Sequence, residues 1–326
     1  MKKRASLNIF CSTLAQLVTI ISGLIVPRLL LGTFGSEANG LVSSLTQFLN
    51  YISLVEGGLG AVVLAALYSP LAKKDDAKLS SVLKAANKFF RQVAYIFVAY
   101  VVVLCFVYPI LVSSSFSHIY VASLTVILAV GLFIQYFFSV TYKLLLQADQ
   151  RMYIVQLLQI ATSLINLILV VVLLRVFPSL HIVKLGSALV FAIQPIFYST
   201  YVKHRYHLDK TIGPDTDALA QRWDCFGQNL AFFIHNNTDT VVLSIFTDLK
   251  IVSVYSVHLL VVRHLKSFFQ AFSHAFAPVI GKALAQNDLE KANSTLELYE
   301  YLVSNIATVI FGCCTYLLPS FVLLYT

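Results

Sequence analysis

In the stretch 251–281, Ser256, Arg263, Lys266, Gln270 and His274 follow one another at spacings of 7, 3, 4 and 4. Steps of three and four place these side chains on one face of a helix. Two cations, an amide and an imidazole on one face can hold water or shield an anion, which apolar packing does not require. Four other polar rows share this spacing: Asn8, Ser12, Gln16, Thr19 and Gly23; Ser43, Gln47 and Asn50; Gln156, Gln159, Ser163 and Asn166; and Cys225, Asn229, Asn236 and Asp239. Arg28 follows the helix-kinking Pro27 at the end of the first row. Glu56 lies off the second row in a regular helix, and joins it only if Gly57, Gly58 and Gly60 distort the backbone. The candidate lining of a hydrated pathway is thus Gln16, Arg28, Gln47, Asn50, Asn229, Asn236, Arg263, Lys266, Gln270 and His274. Glu56 and Asp239 are candidates for ion pairing or ion coupling, Asp239 with Arg28, Arg263 or Lys266. Taken singly, each amide or hydroxyl also fits ordinary helix-to-helix glue, and Arg28 fits a residue that snorkels to the headgroups.

The residues do not group for catalysis or metal binding. No nucleophile, base and orienting group come together, His204, His207 and His235 lack metal spacing, and no cofactor motif occurs. The five cysteines are Cys11, Cys105, Cys225, Cys313 and Cys314, an odd number without a CxxC pair, and read as small core residues. Gly57-Gly58-Leu59-Gly60 is no phosphate loop, because it sits within an apolar run and suits a hinge or close packing. Asn236-Asn237-Thr238 and Asn293-Ser294-Thr295 fit the glycosylation pattern, but one lies in an apolar run and the other on the basic, inner side.

The elements that position these residues follow from composition. Of 326 residues, 58% are hydrophobic and 12% charged, with a mean hydropathy of +0.81. An ordinary soluble domain carries about twice that share of charge, so soluble enzymes, nucleic-acid-binding domains and disordered chains are excluded. The architecture expected is an all-α polytopic membrane protein. Runs long enough to cross a bilayer fall near 8–31, 41–68, 90–111, 119–142, 153–174, 182–202, 224–246, 251–281 and 299–322, nine spans in all. The first run is too long for a cleaved signal. With the N-terminus cytoplasmic, the inner segments hold 17 Lys and Arg and the outer ones 3. That asymmetry gives the orientation, and explains the net charge of +8 without a nucleic-acid partner. Short outer loops argue against a receptor ectodomain or a glycan polymerase with an external catalytic loop.

Leu71-Ala72-Lys73-Lys74-Asp75-Asp76-Ala77-Lys78 and Leu284-Ala285-Gln286-Asn287-Asp288-Leu289-Glu290-Lys291 share Leu, Ala, Asp and Lys at an offset of 213 residues. Phe34-Gly35-Ser36 faces Phe246-Thr247-Asp248 at an offset of 212. A repeat of six spans gives two parallel copies: a six-helix lobe at 1–202, a cytoplasmic linker at 203–222 and the first three helices of a second lobe at 223–326. The expectation is a complete second lobe three spans longer, and therefore a C-terminally truncated chain.

Pro27-Arg28-Leu29-Leu30, Phe34-Gly35, Asn39-Gly40-Leu41, Glu56-Gly57-Gly58-Leu59-Gly60, Asn237-Thr238-Asp239 and Val254-Tyr255-Ser256 resemble lipid-linked polysaccharide flippases of the multidrug, oligosaccharidyl-lipid and polysaccharide exporter superfamily. The resemblance implies two helical lobes around a cavity lined by spans 1, 2, 7 and 8. It implies a bacterial inner-membrane transporter for polyprenyl-diphosphate-linked oligosaccharide, which works by alternating access and is not an enzyme. Its partners would be that substrate, membrane lipid, a polysaccharide polymerase and glycosyltransferases. The alternatives are a cation-coupled multidrug exporter of the same superfamily and a non-transporting remnant or scaffold.

Overall fold

A computed structural model describes residues 2–56, 58–112, 115–209, 211–215, 226–285 and 288–325. Within its helices the side chains of 2–6, 9, 56, 226, 228, 229, 268, 270–275, 277–279 and 281–285 lie outside the description. Among the described residues the chain forms eleven helices and no strand: α1 (Lys2–Asn50), α2 (Ser53–Glu56), α3 (Leu59–Lys73), α4 (Asp76–Leu111), α5 (His118–Phe138), α6 (Val140–Ala148), α7 (Met152–Val176), α8 (Leu180–Arg205), α9 (Phe226–Phe246), α10 (Leu249–Ala285) and α11 (Leu289–Tyr325). The all-α membrane architecture expected from hydropathy is therefore observed.

The nine apolar runs map onto these helices with breaks where local chemistry dictates them. The first run and the start of the second share α1, which Gly35 interrupts at φ 81°, ψ 173°. Only glycine occupies that region without strain. The second run breaks again between Asn50 and Leu59, where Gly58 sits at φ 81° and leads into α3. Gly58 supplies the left-handed backbone at this break. Among the described residues, six helical segments are long and apolar enough to cross a membrane, among them Phe10–Val55, whose 46 residues exceed one crossing. α9 and α10 are not among the six; they carry Asn236, Asn237, Asp239, Arg263 and Lys266.

Two helix starts at the 213-residue offset carry the same kind of cap. Asp75 caps α4 by accepting a hydrogen bond from the Lys78 amide at 2.9 Å, and Asp288 accepts from the Lys291 amide at 3.1 Å. Both pairs stand at the 213-residue offset. At the other matched site, Gly35 divides α1, and residues 247–248 separate α9 from α10. Aspartate suits this cap because its short carboxylate satisfies an amide that the first helical turn leaves without a partner.

By contact density the chain divides into two units, residues 1–252 and 253–326. In the first, α1 packs along α7, α5 lies between α4 and α8, and α7 pairs with α8. Its core holds Leu41, Leu45, Phe90, Phe97, Tyr108 and Leu145, with the Tyr108 hydroxyl donating to Ser44 Oγ at 2.8 Å. Phe106, Ile110 and Ile119 point outward and are largely exposed, as a lipid-facing surface requires. Residues 209, 212 and 215 are tied to the start of α4. Asp209 N donates to Ser80 Oγ at 2.9 Å, Lys84 Nζ donates to the Ile212 carbonyl at 2.5 Å, and Lys78 pairs with Asp215. In the second unit, Phe269 stacks on Phe311 and Phe276 meets Tyr299, joining α10 to α11.

Candidate functional site

Gln47, of one predicted polar row, meets α9 where α1 runs beside it. Gln47 is buried on α1, and its Nε2 donates to Asn237 Oδ1 at 2.5 Å and to the Asn237 carbonyl at 3.3 Å. Just past the end of α1, the Tyr51 ring meets the Phe233 ring edge to face at 4.9 Å. At the other end of the seam Gly40 lies against the Leu249 carbonyl so closely that an ideal Cβ would stand 1.8 Å from that oxygen. The order 40, 47, 51 against 249, 237, 233 describes an antiparallel crossing. It is narrow at one end because a glycine is there, and bonded in the middle because two amides coincide.

The other candidates are placed as follows. Gln16 and Arg28 are exposed on the first part of α1, and Asn50 is half-buried at its end, its carbonyl accepting from Ser53 Oγ at 2.8 Å. Asn236 turns back onto its own helix, donating to the Phe232 carbonyl at 2.6 Å, and Asp239 is exposed on α9. Arg263 and Lys266 are both exposed on α10, and the Arg263 carbonyl accepts from Ser267 Oγ at 3.0 Å. The side chains of Glu56, Asn229, Gln270 and His274 lie outside the described residues. Of the lining set, the structure brings Gln47 to α9, where it meets Asn237, the neighbour of Asn236.

The row on α7 serves helix pairing in part. Gln194 of α8 donates to Gln159 Oε1 at 3.0 Å and to Thr162 Oγ1 at 2.7 Å, and Gln159 itself donates to Ser163 Oγ at 3.2 Å. Asn166 Oδ1 is buried without a hydrogen-bond partner.

Asn8, the first residue of the α1 row, is likewise a docking group. It donates to the Gln150 carbonyl at 3.0 Å and accepts from the Tyr153 amide at 2.8 Å. The turn it grips, with Gln150 at φ 56°, is held from inside by Arg151. Arg151 donates to Asp149 Oδ2 at 2.5 Å and to the Tyr201 hydroxyl at 2.8 Å, and the Tyr206 hydroxyl donates to the same carboxylate at 2.6 Å. Burial, and then the bond to Asp149, push the Tyr206 phenol above its ordinary pKa. Donation from the Thr211 hydroxyl and amide holds the Asp209 carboxyl below its ordinary value. These groups fasten α1, the α6–α7 turn and α8 at one end of the first unit.

The sequence profile of a family described as "Polysaccharide biosynthesis protein" matches residues 6–284. No curated protein sequence matches the chain. Among solved structures, the chain is similar to the inward-facing conformation of a multidrug resistance MATE family transporter of the MOP superfamily. The two share 15% identity at a TM-score of 0.65, over 95% of this chain and 72% of that one. It is also similar to a MATE protein solved in complex with MaL6, with 14% identity at a TM-score of 0.53 over 96% and 74% of the two chains. At these identities the likeness is one of fold.

Proposed function

This chain belongs to the polysaccharide biosynthesis protein family, and from that membership we propose that it translocates a polyprenyl-diphosphate-linked oligosaccharide across the bacterial cytoplasmic membrane. Membership over residues 6–284 is the observation that carries the reading. The transporter fold supports it, and so does the chemistry of the polar rows. Sugars and a diphosphate need hydrogen-bonding amides and cations within the bilayer, while the polyprenyl tail remains in lipid. Gln16, Arg28, Gln47 and Asn50 of α1, with Asn229 and Asn236 of α9, supply part of such a lining. Arg263 and Lys266, three residues apart on one face of α10, supply the charge for the diphosphate together with Gln270 and His274.

Movement would follow alternating access between a lobe at 1–202 and a second lobe beginning at 223, joined by the linker 203–222. Parting α1 from α9 would require breaking the Gln47–Asn237 bonds. Glu56 or Asp239 would couple the cycle to an ion. The basic asymmetry of the loops supports a cytoplasmic N-terminus, and a polysaccharide polymerase and glycosyltransferases would be the neighbours. In this reading the chain performs no catalysis.

The test is the double variant Arg263→Gln/Lys266→Gln in a flippase-deficient strain, with surface polysaccharide measured on gels and insertion measured by protease accessibility. Loss of polysaccharide with normal insertion is expected when the unaltered chain restores it. Normal polysaccharide in the double variant would overturn the cationic mechanism. Failure of the unaltered chain to restore any would favour the scaffold reading. The fold likeness to a multidrug transporter supplies a second reading, drug export, for which altered drug sensitivity without a change in polysaccharide would be the signature.

A further inference from the structure

The first unit contains a cavity of about 400 Å³ between α5, α6, α7 and α8, away from the α1–α9 seam. That volume lies within the usual range for small-molecule sites, about 300–1,000 Å³. Its polar lining includes Lys143, Lys184, Gln135, Gln159, Gln194 and Ser187, and among the described residues none that line it is acidic. We propose that this cavity is a binding site for a phosphate-bearing anionic group, with Lys184 and Lys143 as its cationic ends and the three glutamines between them.

Placement supports this assignment. Ser123 Oγ and His181 Nε2 lie 2.8 Å apart, and the Tyr120 ring meets the His181 ring at 4.3 Å, so the first turns of α5 and α8 are pinned side by side. From that joint the two helices run in the same direction. Lys184 is therefore near the pinned end, and Lys143, on α6 beyond the end of α5, is at the other. On α8 the lining extends from Lys184 to Tyr198, about 21 Å at 1.5 Å per residue, two-thirds of a bilayer core. Lys184 is half-buried and, among the described residues, has no hydrogen-bond or ion-pair partner. A lysine that merely snorkels would run along lipid to the headgroups, whereas Lys184 faces a cavity.

Charge decides the class of ligand. Two lysines around one cavity, with no acidic residue among its described lining, repel cations and attract anions through low-dielectric walls. Ammonium groups suit phosphate as point charges, and Gln135, Gln159 and Ser187 suit the hydroxyls that accompany it. The phosphate could belong to a lipid headgroup or to a free phosphate compound. The site is independent of the translocation reading, and surface polysaccharide does not report on it.

The test uses the purified full chain in two arms. One arm counts phosphatidylglycerol against phosphatidylcholine retained in native mass spectrometry, and the other titrates pyrophosphate calorimetrically in detergent. Binding in at least one arm is expected. It should weaken about tenfold, equivalent to 1.4 kcal/mol, in Lys184→Gln and in Lys143→Gln, persist in Lys184→Arg, and be unchanged in the exposed control Lys203→Gln. Phosphatidylglycerol-selective retention would identify a lipid source, and pyrophosphate binding a free one. Should a lysine variant fail to fold, Ser187→Leu fills the cavity while keeping both charges, and must weaken binding equally. Binding in neither arm, or equal binding by wild type and the cavity variants, or equal loss in Lys203→Gln, overturns the proposal.

Discussion

Gly40→Ala tests whether the α1–α9 seam is set by backbone contact. An alanine Cβ at this position would lie 1.8 Å from the Leu249 oxygen, 2.7 Å from its carbonyl carbon and 3.3 Å from its Cα. Relief to the 3.0 Å that real contacts respect requires a shift of about 1.2 Å. The obstacle is backbone, so no rotamer change can provide that shift. Leu249 is buried, and the first turn of α10 is closed by the Asp248 carbonyl, which accepts from Ile251 at 2.9 Å and Val252 at 3.2 Å. The whole turn must therefore move, and the Gln47–Asn237 bonds two turns along α1 must stretch with it. Overpacking costs about 1–3 kcal/mol, at its upper end here, and a lost hydrogen bond adds about 1 kcal/mol. The expected destabilisation is about 3–4 kcal/mol on those principles, roughly two to three orders of magnitude in the folding equilibrium. Reversible unfolding in mixed micelles reads this directly, and the yield of a Gln47→Cys/Asn237→Cys crosslink, with and without Gly40→Ala, reads the displacement. Gly32→Ala is the control, since nothing lies within 4 Å of its Cβ and its φ is ordinary. An unfolding midpoint and crosslink yield equal to those of the parent would refute the reasoning, as would equal damage from Gly32→Ala.

A double-mutant cycle with Gln47→Leu and Asn237→Leu should give a coupling of about 1 kcal/mol, and a value indistinguishable from zero would show that the two amides do not pair. Gly35→Ala forces a side chain into a glycine-only region and should cost about 1–3 kcal/mol in the same unfolding assay. Arg151→Ala leaves Asp149 without its cation and should cost about 3 kcal/mol; Asp149→Asn/Arg151→Leu should recover part of it. Because the folded Tyr206 phenol titrates above its ordinary value, its contribution is complete below about pH 10 and is lost as pH rises through the folded value. Tyr206→Phe should therefore flatten the alkaline limb of the stability profile, and an unchanged limb would remove this account of the α6–α8 latch.

The amino-acid order alone determined the helical membrane class, the position of the apolar runs and the asymmetry of basic residues, because transfer from water to a bilayer is read residue by residue along the chain. It also carries two local helix caps, since Asp75 with Lys78 and Asp288 with Lys291 form them from neighbours three residues apart. Glycine clusters disclosed the break after Asn50 for the same reason: backbone freedom is a local property. Which polar residues meet was another matter. Helical spacing put Asn236 in the row, while the fold turns Asn237 to Gln47 and folds Asn236 back on Phe232. Asn8, the first residue of a polar row, is a clamp on the α6–α7 turn. Lys184, near the start of the 182–202 run, lines a cavity with Gln135 and Lys143. Spacing specifies a face of one helix, but the partner of that face depends on the rotation and register of a second helix. Those are settled only when close contacts such as Gly40 on Leu249 bring the helices together.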